Sequence, residues 1–353
     1  MIRLALIGCG GMGSRFVEGV RALHPRAAMS AVVDIDPERL ATAAEHFPEA
    51  NATADCREVL DDVDAALVVL PHHLHHPVAK DCLDAGLHVF LEKPMANTEA
   101  ECLDLIESAE RAGRVLMIGY VMRYHPLVLA LKEAVDSGTY GDCFHLAIWT
   151  EQYTRYHDGH WARSAETLGG GQLFSHGCHY IDLLLWFLGE PVEGTHTGTN
   201  FGTPWMEHEG TSSVAIRFRN GATGYHFGTW GARGTRLGYS FHAHCTEGML
   251  EADFRTGQLI YHRFKKLAGL VEPHMPGRAI EDDFEKRVVL FEADSRKHTD
   301  EEMEHFVECI ETGAEPRTSA RDSLQSLRVI WRLYQAEESG TVADLRGLGL
   351  GQV

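Results

Sequence analysis

Hydrophobic and polar positions change their period once along this chain, and the change divides it. Residues 3–7 (RLALI) form a short apolar run suited to a buried strand, and SRFVEGVRALH after a glycine cluster places Phe16, Val17, Val20 and Leu23 on one helical stripe. The alternation continues with a strand near 29–33, a helix from Pro37 to about Phe47, a strand at 65–70, a helix near 76–85 and a strand at 88–91. Thr98 and Glu101 have the spacing of a capping box for a helix running to Gly113, and VLMIG at 115–119 supplies a further strand. Strands that alternate with helices predict a parallel, doubly wound sheet, here a Rossmann unit that closes near residue 120.

Beyond about residue 140 a period of two takes over. SVAIRFRN and TGYHFGTW flank Asn220-Gly221, a pairing that predicts a tight hairpin, and further strands are expected at 239–244, 249–254 and 258–263. The expected fold is α/β: a Rossmann domain over 1–121, then an α+β domain over 122–353 with a large, mostly antiparallel open sheet. The C-terminal helices near 300–312 and 320–338 are expected to pack on that sheet. No internal repeat is present.

Composition narrows the function classes. With 353 residues, 44% of them hydrophobic and 24% charged, the chain is long enough for roughly two globular domains. A formal charge of −19 argues against a nucleic-acid partner, which clustered Lys and Arg would serve. The eight cysteines show no Cys-x-x-Cys pair, which fits reduced thiols. The first residues reach glycine before building a signal-peptide core, and no apolar run approaches the roughly 20 residues of a membrane span. A cytoplasmic protein without membrane contact is therefore expected.

Gly8-Cys9-Gly10-Gly11-Met12-Gly13 fits G-x-G-x-x-G between a predicted strand and a predicted helix, the context in which that motif has weight. Gly8 would permit a tight turn, Gly10 a close approach of backbone to pyrophosphate, and Gly13 close packing of helix on strand. Asp34 ends the second predicted strand, where a carboxylate accepts hydrogen bonds from the adenosine ribose and repels a 2′-phosphate. The competing role for Asp34 is to cap the helix that begins at Pro37. NAD is the cofactor expected.

Seven segments then coincide with a known pattern: GCGGMG at 8–13, VVDIDPERL at 32–40, LPHHLHHP at 70–77, HVFLEKP at 88–94, GYVMRYHP at 119–126, GGGQLFSHGCHYID at 169–182 and EEMEHFVECIETG at 301–313. In these the chain resembles, over essentially its whole length, the glucose–fructose oxidoreductase/inositol dehydrogenase (Gfo/Idh/MocA) family. The resemblance implies that Lys93, at the end of a Rossmann strand, projects to where nicotinamide meets substrate, and that His179 takes the hydroxyl proton. A cation beside a substrate hydroxyl stabilises a developing alkoxide, so elementary chemistry supports the same placement of Lys93. Cofactor contacts are expected from Gly8, Gly10, Gly11, Met12, Gly13 and Asp34, from Leu70, Pro71, His72 and His75, and from Glu92, Lys93 and Arg123.

Two departures bear on the chemistry. Many family members carry Asp or Asn four residues before the catalytic histidine, where this chain has Ser175 followed by His176, so the Lys-Asp-His triad is incomplete and His176 is a rival base. His72 stands where the family often has Asn, while His75 keeps the usual histidine. Ser175, His179, Asp182 and Trp186 form one polar stripe on an otherwise apolar helix, and Asp182 is expected to orient His179 or to satisfy a buried backbone donor. Tyr153, Tyr156, His157, His160, Trp161 and Arg163 make a loop suited to sugar rings, with packing on the sheet or a subunit as the alternative. The histidines at 72, 73, 75 and 76 lie between Pro71 and Pro77 without carboxylate or cysteine at ligand spacing, so no metal is expected.

The function implied is hydride transfer between NAD and a secondary hydroxyl or ketone of a sugar, sugar derivative or cyclitol. The alternatives are glycoside cleavage through transient oxidation and elimination, and an NAD-sensing regulator without catalysis. The partners expected are a small polyhydroxylated substrate and further copies of the chain, as a homodimer or homotetramer.

Overall fold

The computed structural model describes residues 1–264, 284–294 and 296–351. The first layer is a sheet of β1 (Ile2–Ile7), β2 (Ala27–Val33), β3 (Asn51–Thr53), β4 (Ala65–Val68), β5 (His88–Glu92) and β6 (Leu116–Gly119). Their order is β3-β2-β1-β4-β5-β6, and every pair is parallel. The strand order reverses beside β1, which places the carboxyl ends of β1 and β4 at the switch point where open α/β sheets bind ligands. Period-two alternation sends Leu4 and Leu6 to one face and Ala5 and Ile7 to the other. The three-residue β3 supplies the strand that the apolar pattern lacks; two of its residues are exposed, so it carries no hydrophobic period.

The predicted capping box is formed: Thr98 Oγ1 accepts from the Glu101 N–H at 3.2 Å, and Glu101 accepts in return from the Thr98 N–H at 2.9 Å. The helix Glu99–Ala112 ends at Gly113 in the left-handed conformation.

Among the described residues the second sheet has nine strands: β7 (Cys143–Glu151), β8 (Pro191–Thr199), β9 (Thr211–Phe218), β10 (Thr223–Thr229), β11 (Tyr239–Cys245), β12 (Gly248–Asp253), β13 (Gln258–Phe264), β14 (Phe284–Glu292) and β15 (Ala343–Asp344). Its order is β14-β13-β12-β11-β7-β10-β9-β8-β15, antiparallel except where β10 meets β7. The β9–β10 hairpin closes at Asn220-Gly221 as its sequence predicts.

One expectation fails. The helix Thr299–Thr312 does not pack on the antiparallel sheet; Met303, Phe306 and Val307 join Leu4, Leu6, Phe16 and Phe90 in the core of the first layer. The Phe306 ring lies 5.9 Å from Phe90, which lies 5.3 Å from Phe16. The reason is coverage: the first crossover helix, Val17–Ala22, has six residues, too few to shield that face. The last long helix, Ala320–Ser339, packs on Cys178–Leu188, on Glu99–Ala112 and on β8. Among the described residues no helix is long and apolar enough to cross a membrane.

Candidate active site between the two sheets

A cleft of about 1030 Å³ opens at the carboxyl ends of the parallel strands. Its outer end is the glycine turn. Gly8 has φ 99°, and a Cβ there would lie 2.1 Å from the Val69 carbonyl oxygen; a Cβ on Gly13 would lie 2.1 Å from the Gly8 carbonyl oxygen. Gly8, Gly10, Gly11 and Met12 line the cleft, while Gly13 is buried between helix and strand. Asp34 also lines it, its carboxylate held by the Cys9 N–H at 2.8 Å and the Asp36 N–H at 2.9 Å. The cap of the helix from Pro37 is Asp36, which accepts from the N–H groups of Glu38 and Arg39, so Asp34 is not the cap.

The inner end gathers Leu70, Pro71, His72, Glu92, Lys93, Ser175, His176, His179 and Lys297. Lys93 leaves the end of β5, and its Nζ donates to the Ser175 carbonyl at 3.0 Å, joining the two sheets' elements across the cleft. Glu92 accepts from the Lys93 N–H at 3.2 Å, its other oxygen is buried without a hydrogen-bond partner, and burial pushes its carboxyl up.

The apolar helix expected after the glycine triplet starts as a π turn, Leu173–Gly177, before the α-helix Cys178–Leu188. Such widened turns occur often at functional sites. The turn is held from outside: Glu209 accepts from the Leu173 N–H at 3.0 Å and from Tyr334 at 2.8 Å, and Tyr334 Oη accepts from the Phe174 N–H at 3.2 Å. Burial pushes the Glu209 carboxyl up to about 7, although Tyr334 and the Leu173 N–H pull it down; Glu337 pushes the same way as burial, and His208 approaches to 3.9 Å. Its folded value therefore exceeds the unfolded one, and the stability tied to it is full below about pH 4.5 and is lost as pH rises to about 7. In denaturant titrations at about pH 5 and pH 8, Glu209→Gln should remove a fall on the order of 2–3 kcal/mol. Equal falls in both proteins would show that Glu209 does not carry it.

Within the polar stripe the structure separates the four residues. Ser175 and His179 face the cleft. Asp182 does not orient His179: it receives both Nε and Nη2 of Arg123 at 2.7 Å, with side chains 1% and 3% exposed. Trp186 lies under the same guanidinium, 5.1 Å from ring centroid to Cζ. Arg123 is thus a buried counterion and does not line the cleft, contrary to its expected cofactor contact, because a buried carboxylate one helical turn beyond His179 demands a cation.

His75 is also displaced from its expected role. It is fully buried, its ring nitrogens lie 2.7 Å and 2.8 Å from the carbonyls of Pro94 and Leu70, and it has no face on the cleft. His72 does line the cleft, with Nδ1 2.8 Å from the Leu168 carbonyl. His76 lies 2.7 Å from Asp104, so the histidine cluster is divided among separate partners.

The two candidate bases differ in their hydrogen bonding. His176 Nε2 is 3.1 Å from the Tyr239 hydroxyl and 3.4 Å from that of Tyr180, and its Nδ1 is 3.3 Å from the Gln172 amide. His179 Nδ1 is buried without a partner, and the ring stands edge-on to Tyr120 at 5.6 Å. Burial, then Lys93, His176 and Lys297, hold the His179 imidazole well below its ordinary range, so it is neutral at pH 7.

The aromatic loop divides as well. Tyr156, His157, His160 and Trp161 line the cleft, with Trp161 edge-on to His72 at 4.8 Å. Tyr153 is 56% exposed and packs towards Trp205, and Arg163 is tied to the Trp205 carbonyl at 3.1 Å and to Asp158; neither lines the cleft. Gln152, Trp230 and Lys297 line it without a sequence signal that singles them out.

A family model described as an oxidoreductase family with an NAD-binding Rossmann fold matches residues 2–120, and one described as the GFO/IDH/MocA C-terminal domain matches residues 128–251. The chain is 30% identical over 225 residues to inositol 2-dehydrogenase 2 of Saccharopolyspora erythraea, an alignment spanning 62% of this chain and 64% of that relative. It is 26% identical over 352 residues to D-xylose 1-dehydrogenase (NADP(+)) 2 of Haloferax volcanii, spanning 96% and 98%. Among solved structures, levoglucosan dehydrogenase in complex with NADH superposes with a TM-score of 0.83 at 22% identity, covering 98% of this chain and 99% of that one.

Proposed function

The chain belongs to the Gfo/Idh/MocA family of NAD-binding oxidoreductases, and from this premise we propose that it oxidises a secondary hydroxyl of a sugar, sugar derivative or cyclitol, with Lys93 and His179 at the reacting carbon. The observation that carries the reading is the convergence, at the inner end of one cleft, of a strand-end lysine and a histidine held neutral by burial. NAD fits the outer end, where Gly8 and Gly13 admit no Cβ and Asp34 presents a fixed carboxylate; when bound it accepts the hydride. Lys93 holds the substrate oxygen and stabilises its negative charge, and His179 receives the hydroxyl proton. Ser175 offers that oxygen a hydroxyl donor but no charge, so His179 works without the carboxylate that many relatives place there. Trp161 and His160 supply aromatic surface for the C–H face of the ring.

A screen of sugars and cyclitols with NAD and with NADP, read as absorbance of the reduced cofactor, tests the reading. NAD should be the better cofactor. The two guanidiniums near Asp34 are already engaged, Arg39 with Asp36 at 3.4 Å and Arg57 with Asp55 at 2.9 Å, leaving a 2′-phosphate to face carboxylate. Asp34→Ser should shift the ratio of NADP to NAD efficiency by about tenfold or more towards NADP. Comparable wild-type efficiency with both cofactors would overturn the assignment of Asp34. We further infer a cytoplasmic homodimer or homotetramer, supported by the half-exposed Trp149, Tyr225 and Phe227 and the exposed Phe144 on the nine-stranded sheet.

A further inference from the structure

Lys297 precedes the helix Thr299–Thr312 and lines the cleft together with Lys93, His176 and His179. Among the described residues it makes no hydrogen bond or ion pair, whereas Lys93 donates to the Ser175 carbonyl. Two ammonium groups therefore line one cavity, close enough for Lys93 to act on Lys297 and for both to act on His176 and His179.

The carboxyl groups nearby do not cancel this charge. Glu92 is buried with one oxygen unpartnered, and Glu302, fully buried behind Lys297, has neither oxygen hydrogen-bonded. Burial pushes both carboxyls up, towards the neutral form; Lys297 is exposed along its side chain, and desolvation at the cleft wall followed by Lys93 pushes its amine down. Like charges held together in a partly desolvated site are unfavourable until an anion joins them.

We propose that Lys297, with Lys93, forms a subsite for a carboxylate carried by the substrate ring, so that the substrate class is a uronic sugar or another ring-carboxylated polyol. The inference rests on the oxidoreductase reading above and names its substrate. The pyrophosphate of NAD is not the anion meant: the glycine turn serves that group, and although Arg15 beside that turn is also felt by Lys297, the charge of Lys297 reaches Glu92, His176 and His179 at the inner end. A phosphorylated sugar would meet the same two ammonium groups, so the test below sets it against the carboxylate. Arg39 and Arg57 lie at the outer end, and Arg123 and Arg163 are held by protein groups away from the cleft.

The test pairs D-glucose with D-glucuronate and D-galactose with D-galacturonate, adds D-glucose 6-phosphate, and measures kcat/KM with NAD for the wild type, Lys297→Met and Lys297→Arg. Alongside, titration calorimetry measures binding of each sugar to the NADH-loaded protein. The uronate should be preferred to its parent sugar, Lys297→Met should cut that preference by about tenfold to a hundredfold, the scale of a hydrogen bond to a charged group, and Lys297→Arg should restore most of it. The proposal is overturned by a wild type that binds uronate no better than the parent sugar, by a preference unchanged in Lys297→Met, or by stronger selection of the phosphate. If no sugar is turned over, the dehydrogenase reading fails separately. Calorimetry then decides: uronate binding that depends on Lys297 upholds the subsite, and its absence overturns it.

Discussion

Lys93→Ala and His179→Ala are each expected to lower turnover by about 10²–10⁴, with fold and NAD affinity largely retained. Lys93 gives up one hydrogen bond, to the Ser175 carbonyl, and His179 leaves no hydrogen-bonded protein partner at Nδ1, so neither truncation removes a structural anchor. The loss belongs to the reaction: without Lys93 the substrate oxygen carries its developing charge unopposed, and without His179 its proton has no acceptor. Because burial holds His179 below its ordinary value of 6.5, the wild-type kcat/KM for oxidation should keep its plateau down to a pH below that value. Steady-state rates with an accepted sugar, paired with NAD titrations, check both variants. Near-normal turnover in His179→Ala with loss in His176→Ala would reverse the assignment of the base, despite the three partners that engage His176.

The second large effect is on stability. Asp182→Ala should cost about 3–5 kcal/mol in denaturant unfolding, because it strands the Arg123 guanidinium in a site where both side chains are almost wholly buried. Arg123 would keep only its bond to the Arg317 carbonyl at 3.1 Å, a more distant contact with Asp322 at 3.9 Å and its stacking on Trp186. The double variant Arg123→Met, Asp182→Leu should recover much of that loss, since the desolvation cost of both charges goes with them. A loss below about 1 kcal/mol in Asp182→Ala would place the pair among weak, solvent-screened bridges instead.

The parts of this site that the sequence announces are those decided within a few residues. The glycine turn, Asp34 and Lys93 each sit at the end of a strand whose apolar run is continuous, so their place at the mouth of a parallel sheet follows from local pattern. The capping box and the hairpin at Asn220-Gly221 are local in the same sense. What stays hidden depends on partners far along the chain. Asp182 meets Arg123 59 positions away, so helical spacing alone points it wrongly at His179. The π turn answers to Glu209 and Tyr334, which no heptad or helical count brings near residue 173. His75 has the residue type of a cleft group, yet two backbone carbonyls claim it. Lys297 follows a strand with no motif around it, and only the docking of the next helix carries it to the cleft.

That docking also bears on how such a chain can be recombined. The Rossmann layer is built by the N-terminal strands and helices and met again by Thr299–Thr312 on one face and by Ala320–Ser339 against Glu99–Ala112, so the contiguous segment and the cooperative unit are different objects. A fragment ending near residue 121 would leave Phe16 and Phe90 without their cover, and a chimera that exchanged everything after that point would import a foreign helix into this core. Shuffling a new substrate half onto this nucleotide-binding half therefore means keeping at least residues 299–312 with the N-terminal parent and matching the face of Ala320–Ser339 that meets Glu99–Ala112. Lys297, two positions upstream, would then stay behind with the parent cofactor domain or leave with the donor depending on where the crossover fell, and the choice of that junction would be a choice of substrate charge.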